Sequence, residues 1–274
     1  MTGTLAGKVV VITGSTRGIG RCMAEACAAE SATVVVSSRT ASAVEETVAA
    51  LQGAGATASG VACDVSRESD LQALLDHAIA AHGGVDVWVN NAGMSLGMRR
   101  HIDTSPEEIR RIVDVNLTGT MLASRLVVPY LLKRGGGLLV NVSGRGGRGD
   151  AATYTAAYAA TKAGVMVFTK SLAAEHKSDP VSILVFMPGM VDTDFYGPGM
   201  EVSPDLEDLA GNIRIVLDAV GTPLAELGPK LAQVAALKPG SETGTVHRVG
   251  GGLRSMLGGL KLARARLSGR MKPM

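Results

Sequence analysis

Tyr158 and Lys162 enclose the segment Tyr-Ala-Ala-Thr-Lys, and a spacing of four places both side chains on one face of a helix. A phenol ordinarily titrates near 10, and an ammonium beside it favours the phenolate. The pair therefore has the chemistry of a general acid–base that works near neutrality. Taken alone, such a pair is more often a surface contact. Tyr154 also stands four residues before Tyr158, but it has no lysine at that spacing and reads as a bystander. A second chemical signal is residues 13–20, Thr-Gly-Ser-Thr-Arg-Gly-Ile-Gly. Glycines at 14, 18 and 20 permit a tight turn and let backbone approach a pyrophosphate. The helix that follows adds free N–H groups and a favourable dipole. An ordinary strand–helix turn is the plainer alternative, but an apolar run before and a helical pattern after favour a dinucleotide.

The glycine spacing, TGxxxGxG, resembles the short-chain dehydrogenase/reductase superfamily, and further motifs fall in that family's order across residues 5–250. They are Asp64-Val65, Asn90-Asn91-Ala92-Gly93, Asn116 within residues 113–119, Ser143, the Tyr158/Lys162 pair, and Pro188 to Thr193. The resemblance implies catalysis by Asn116, Ser143, Tyr158 and Lys162. Asn116 would hold a water that relays protons from Lys162, and Ser143, at a strand end, would hydrogen-bond a substrate oxygen. It also implies cofactor contacts from Gly14, Ser15, Arg17, Gly18, Ile19 and Gly20. Asp64 would face adenine beside Val65. Asn91, Ala92, Gly93, Tyr158, Lys162, Pro188, Gly189, Val191 and Thr193 would complete the cofactor cleft. The cofactor would carry hydride while the protein supplies orientation and the proton.

Cofactor choice is read from the end of the second strand, where sites for NAD place a carboxylate on the ribose 2′-OH. Here that place is Ser38, followed by Arg39, and no carboxylate occurs until Glu45. Arg39 offers a forked, permanently charged donor set suited to a phosphate. Arg17, inside the glycine turn, is placed to reach the same group. The expected cofactor is NADP(H).

Two departures stand out. Ser143 and Tyr158 are fifteen positions apart, slightly more than the family suggests, and residues 144–150 carry Arg145 and Arg148. With Arg99 and Arg100, these cations would select an anionic or carrier-bound substrate, unless they are merely solvated loop charges, the reading preferred. The second departure is a C-terminal extension, residues 253–274. Arg254, Lys261, Arg264, Arg266, Arg270 and Lys272 lie there without one acidic residue, leaving 21 basic against 25 acidic side chains in the rest. Leu253, Met256, Leu257, Leu260, Ala263, Leu267 and Met271 recur at helical steps. This stripe is expected to pack on the body or on a second subunit, in preference to a lipid surface or an acidic partner.

These residues must be positioned by a larger frame. Apolar, β-branched runs at 8–13, 33–37, 57–62, 85–89, 138–142, 181–187 and 245–249 alternate with helical patterns at 18–30, 41–51, 68–82, 106–133 and 155–177. Such alternation predicts an α/β fold: a single-domain, Rossmann-type, doubly wound parallel sheet of about seven strands with helices on both faces. The domain would span residues 1–252. Residues 197–238 are less periodic and read as an extra helix or lid. The substrate pocket falls to residues 95–102, 144–153 and 195–220.

The chain has 274 residues, 46% hydrophobic and 3% aromatic, with 35 glycines and a net charge of +2. Length and composition fit one large core, and the small charge argues against a nucleic-acid partner. Three cysteines without metal spacing argue against a disulfide framework or a metal site. No signal-peptide pattern occurs, and no apolar run reaches the roughly 20 residues that span a bilayer. A cytoplasmic homotetramer or homodimer is expected. It would interconvert a small ketone or aldehyde and a secondary alcohol. The alternatives are a 3-oxoacyl ketoreductase acting on an acyl carrier, or a dinucleotide sensor without turnover.

Overall fold

The computed structural model describes residues 3–193, 200–250 and 253–271, with the side chains of residues 253–256 outside that description. Strands β1 (Val9–Ile12), β2 (Thr33–Ser38), β3 (Ala58–Ala62), β4 (Val87–Asn90), β5 (Gly137–Val142), β6 (Val181–Met187) and β7 (Val246–Arg248) form one sheet. All pairs are parallel and the order is β3-β2-β1-β4-β5-β6-β7. The order reverses between β1 and β4, and at such a switch point the carboxyl ends of the strands open a crevice.

Alternate residues of each strand feed opposite layers, as pleating requires. Val10, Ile12, Val34 and Val36 join a core with residues of α1 (Gly18–Ala29) and α2 (Ala41–Gly53). Val9, Val11 and Val35 face the other core, with residues of α3 (Glu68–His82). Both faces being dry, the strands read as nearly unbroken valine.

The predicted helix over 106–133 is interrupted. It comprises α4 (Pro106–Val113), a π-turn (Asp114–Thr118) and α5 (Gly119–Arg134). α4 starts where Ser105 and Glu108 form a reciprocal capping box with Pro106 behind the cap. Among the described residues, Pro106–Arg134 is the one stretch long and apolar enough to cross a membrane by length and composition. Here Ala123, Val127, Val128 and Leu131 of α5 pack in the core with α3 instead. α6 (Ala156–Glu175) lies on this same layer.

The weakly periodic stretch after β6 holds two helices rather than one, α7 (Glu207–Val220) and α8 (Leu224–Ala235). α8 is a core element, burying Leu227, Leu231 and Val234 beside α1. Residues 195–199 of the expected substrate segment lie outside the described residues. The extension forms α9 (Leu253–Leu267), which packs on α7. The expected stripe docks only in part: Gly258, Leu262, Ala265 and, past the helix, Met271 turn inward, while Leu257, Leu260, Ala263 and Leu267 face out, and the side chains of Leu253 and Met256 lie outside the described residues.

Candidate active site

The glycine turn closes over the β1 end. Gly14 takes φ +63°, and a Cβ there would sit 2.8 Å from Ala92 Cα. A Cβ on Gly20 would overlap Gly14 O, so α1 can begin this close to the turn only as glycine. Arg17 caps α1 without a side-chain acceptor. The first N–H groups, those of Gly18, Ile19 and Gly20, are those a helix leaves unbonded, and they point outward from its start. Across the turn, Thr193 Cγ2 lies 3.7 Å from where a Gly18 Cβ would be. This backbone cradle with an uncapped helix start fits a dinucleotide pyrophosphate.

The structure brings every described candidate to one edge of the sheet, but not every side chain into the crevice. Ser15 is fully buried: its Oγ donates to Ile12 O (2.7 Å) and accepts from Ser37 N, and its own N–H goes to Ser37 O. It braces the turn to β2 and has no group left for a ligand. Asn91 is also a brace, its Nδ2 donating to Thr13 O (2.9 Å) and Gly14 O (3.0 Å). Val191, 1% exposed, belongs to the core, as does Val65. Pro188 is buried, and Gly189 and Gly93 are exposed.

At the β2 end, Arg17 and Arg39 are exposed, and neither is within ion-pair distance of a carboxylate among the described residues. Ser38 Oγ is bonded to Thr40 O and N (3.2 and 3.3 Å). Asp64 accepts from Ser66 N and Oγ (3.0 and 2.7 Å) through one oxygen, Oδ1. Burial tends to raise its carboxyl, but the Ser66 bonds and the charges of Arg39 and Arg67 prevail and hold it below the usual value. Arg39 and Asp64 thus share a corner that a purine and a 2′-phosphate would both suit.

Lys162 is buried below Gly93. Its Nζ donates to Val142 O (3.0 Å) and stands 5.8 Å from the centroid of the Tyr158 ring, within cation–π reach. Burial lowers its ammonium from 10.5 to about 8. The expected pairing on one face of α6 is therefore seen, with the charge held under the phenol.

Ser143 is tied to the protein on its donor side. Its hydroxyl donates to Lys162 O (2.9 Å), the residue is 1% exposed, and Gly147 lies so close that a Cβ there would overlap Ser143 Oγ. It ties β5 to α6. The position that faces the Tyr158 hydroxyl is Gly144, where a Cβ would stand 2.7 Å away. Asn116 likewise has its side chain occupied. Its Nδ2 donates to Met94 O (2.9 Å) and Thr161 Oγ1 (3.1 Å), and its Oδ1 accepts from Met94 N (2.7 Å). Both Nδ2 hydrogens are thus given to protein acceptors. The π-turn, a device often found at functional sites, is what aims the side chain at both Met94 and α6.

Sequence reasoning missed the polar frame beneath the site. Asn90 Nδ2 donates to Asn141 Oδ1 (2.8 Å), and Asn141 Nδ2 donates to Thr169 Oγ1 (3.0 Å). Thr13 Oγ1 accepts from Asn91 N and Ala92 N. Asparagine at the end of two buried strands was the available signal, since a buried amide must find partners.

Beside Tyr158 is a small recess of about 10 Å³ lined by Leu96, Arg99, His101, Thr104 and Tyr154. Tyr154 adopts φ +64°, rare outside glycine, and its carbonyl accepts from Arg99 N (3.0 Å). Three of the four arginines expected at the mouth are ion-paired. Arg99 meets Glu108 and Glu201, Arg100 meets Asp205 (3.1 Å), and Arg148 meets Asp150 (3.1 Å). Arg145, the fourth, is exposed and has no ion-pair partner among the described residues.

Comparison with known proteins agrees with this geometry. Residues 8–201 match the family model of the short chain dehydrogenases. The chain is 36% identical to 3beta-hydroxysteroid dehydrogenase 1 of Eggerthella lenta, over 91% of this chain and 94% of that one. It is 37% identical to the ketoacyl reductase HetN of a Nostoc species, covering 69% and 65% respectively. Among solved structures, actinorhodin polyketide ketoreductase with NADPH superposes with TM-score 0.77 at 29% identity, over 93% of this chain and 99% of that one. The 3-ketoacyl-(acyl-carrier-protein) reductase of Brucella melitensis with NADH gives the same TM-score and identity, over 90% and 98%.

Proposed function

Because the chain belongs to the short chain dehydrogenase family of oxidoreductases, we propose that it uses NADP(H) to interconvert a neutral ketone and a secondary alcohol. One observation carries the reading: a buried ammonium, Lys162, set under the Tyr158 ring beside a three-glycine turn. When bound, a nicotinamide dinucleotide supplies or accepts the hydride. The glycine turn and the first N–H groups of α1 would hold its pyrophosphate, and Asp64 would take the adenine amino group. Ser38, Arg39 and Arg17 would hold the 2′-phosphate, and Lys162 the nicotinamide ribose. Tyr158 Oη gives its proton to the substrate oxygen in reduction and takes it back in oxidation. Lys162 favours the phenolate left behind.

Reduction of 3-oxoacyl groups on a carrier is the second reading, supported by the ketoacyl reductases among the relatives. With Arg99, Arg100 and Arg148 paired, only Arg145 of the four is left to engage an anionic carrier, which favours a neutral substrate. A sensor without turnover would not need the Tyr158/Lys162 pair. Exposed Met121 on α5 and Val167 on α6 suit a homodimer or homotetramer. The buried thiols of Cys27 and Cys63, pushed up to about 12 by burial, suit a reducing cytoplasm.

The test is a panel of neutral ketones, hydroxysteroids and 3-oxoacyl thioesters, followed by absorbance of the reduced nicotinamide with each cofactor. Turnover on neutral ketones is expected, with NADPH preferred by tenfold or more, since two charge-assisted hydrogen bonds contribute about 1.5–3 kcal/mol each. Equal kcat/KM for NADPH and NADH would overturn the cofactor choice, and activity confined to thioesters would favour the second reading.

A further inference from the structure

The outward face of α9 has no counterpart in the cleft chemistry. At 3.6 residues per turn, Gly258, Leu262 and Ala265 share one face, and this is the face turned to the body. A Cβ on Gly258 would overlap Val220 Cγ1, so the helix seats tightly on the end of α7 by its smallest residue. Seating that face turns the leucine stripe to solvent: Leu257 is 48% exposed, Leu260 57% and Leu267 90%. Exposed cations lie within and beside it, Arg264 inside the stripe and Lys261 along one border. No acidic residue follows Glu242.

We propose that α9 is a docking face for an anionic lipid surface, lying in the headgroup plane with Leu257, Leu260 and Leu267 inserted. Charge complementarity selects this occupant. A helix with leucines on one side and long cationic side chains among and beside them buries its apolar face while the cations reach up to anionic headgroups. A second copy of the same helix would bring its own uncompensated cations against these, with an arginine in the middle of each stripe. The proposal concerns surface attachment and is independent of what the cleft transforms.

Flotation of the full chain with vesicles tests it, using phosphatidylcholine alone and phosphatidylcholine mixed with phosphatidylglycerol. Co-flotation with the mixed vesicles is expected, with at least a tenfold smaller bound fraction on phosphatidylcholine alone. Salt at about 1 M, where the Debye length is about 3 Å, should release most of it. The double variant Leu257→Glu, Leu260→Glu should lose binding tenfold or more while keeping its melting curve and oxidoreductase activity. A separate Lys261→Glu, Arg264→Glu variant reads the charge contribution without altering the leucines and should also lose binding. Absence of flotation, equal binding to both vesicle types, or undiminished binding by both variants would overturn the proposal. So would an oligomer that the leucine variant disperses in sedimentation while the wild type ignores vesicles, since the occupant would then be a second copy.

Discussion

At the scale of single residues, Lys162 sets folding against chemistry. Its folded-state value of about 8 lies below the ordinary 10.5, so between those pH values the unfolded chain binds more protons than the folded one. Stability must therefore rise as pH climbs from about 8 to 10.5, and the burden is greatest at neutral pH. Lys162→Met should remove that slope from a series of urea melts. At pH 7 it should also stabilise the protein by on the order of 2 kcal/mol, about 3 from the charge less about 1 for the bond to Val142 O. Activity should be lost. A variant less stable than wild type at pH 7 would contradict this. Ser143 makes the opposite case. With its hydroxyl spent on Lys162 O, Ser143→Ala should cost about 1 kcal/mol of stability and less than tenfold in kcat. A hundredfold fall in kcat would return Ser143 to the proton chemistry. The Tyr158/Lys162 pair was legible because helical spacing alone fixes which residues share a face. The partners of the Ser143 and Ser15 hydroxyls were not, because the direction of a hydroxyl at a strand end depends on which way the chain leaves the sheet.

At the scale of elements, strand ends and turns were legible and interruptions were not. The β1 turn announced itself through three glycines at fixed offsets. The π-turn within residues 106–134 carries no local mark; Asn116 is held by Met94 and Thr161, which come from other elements. The missing carboxylate at the end of β2 is the most informative absence in the sequence, and Arg39 there stands exposed without an ion-pair partner among the described residues. Arg39→Asp should lower kcat/KM with NADPH tenfold or more while leaving that with NADH unchanged or higher. Parallel losses with both cofactors would mean that Arg39 supports the loop instead of reading the phosphate.

At the scale of the whole molecule, the doubly wound sheet followed from alternation of short valine-rich runs with amphipathic helices, because parallel neighbours require crossovers. α8 was hidden by Pro229 within it and by a weak pattern, although it fills the core beside α1. The extension misled in a different way. Its broad leucine stripe suggested the docking face, yet close approach to α7 needs small side chains, so Gly258 and Ala265 face inward. Truncation after Gly252 should lower the melting temperature modestly, since burial there amounts to about 1–2 kcal/mol. Dinucleotide affinity should not change. Loss of cofactor binding on truncation would show that α9 supports the crevice as well.

The central claim is that Tyr158 is the proton donor of an oxidoreductase, and the comparison of wild type with Tyr158→Phe tests it most directly. That substitution keeps the ring over Lys162 and removes only the hydroxyl. On the best substrate of the panel, kcat should fall by about a thousandfold, within the roughly 10²–10⁴-fold range of general acid–base catalysis. The Kd for NADPH, read by fluorescence, should stay within about threefold, well under the 1.4 kcal/mol that a tenfold change represents. Near-normal kcat in Tyr158→Phe would contradict the account.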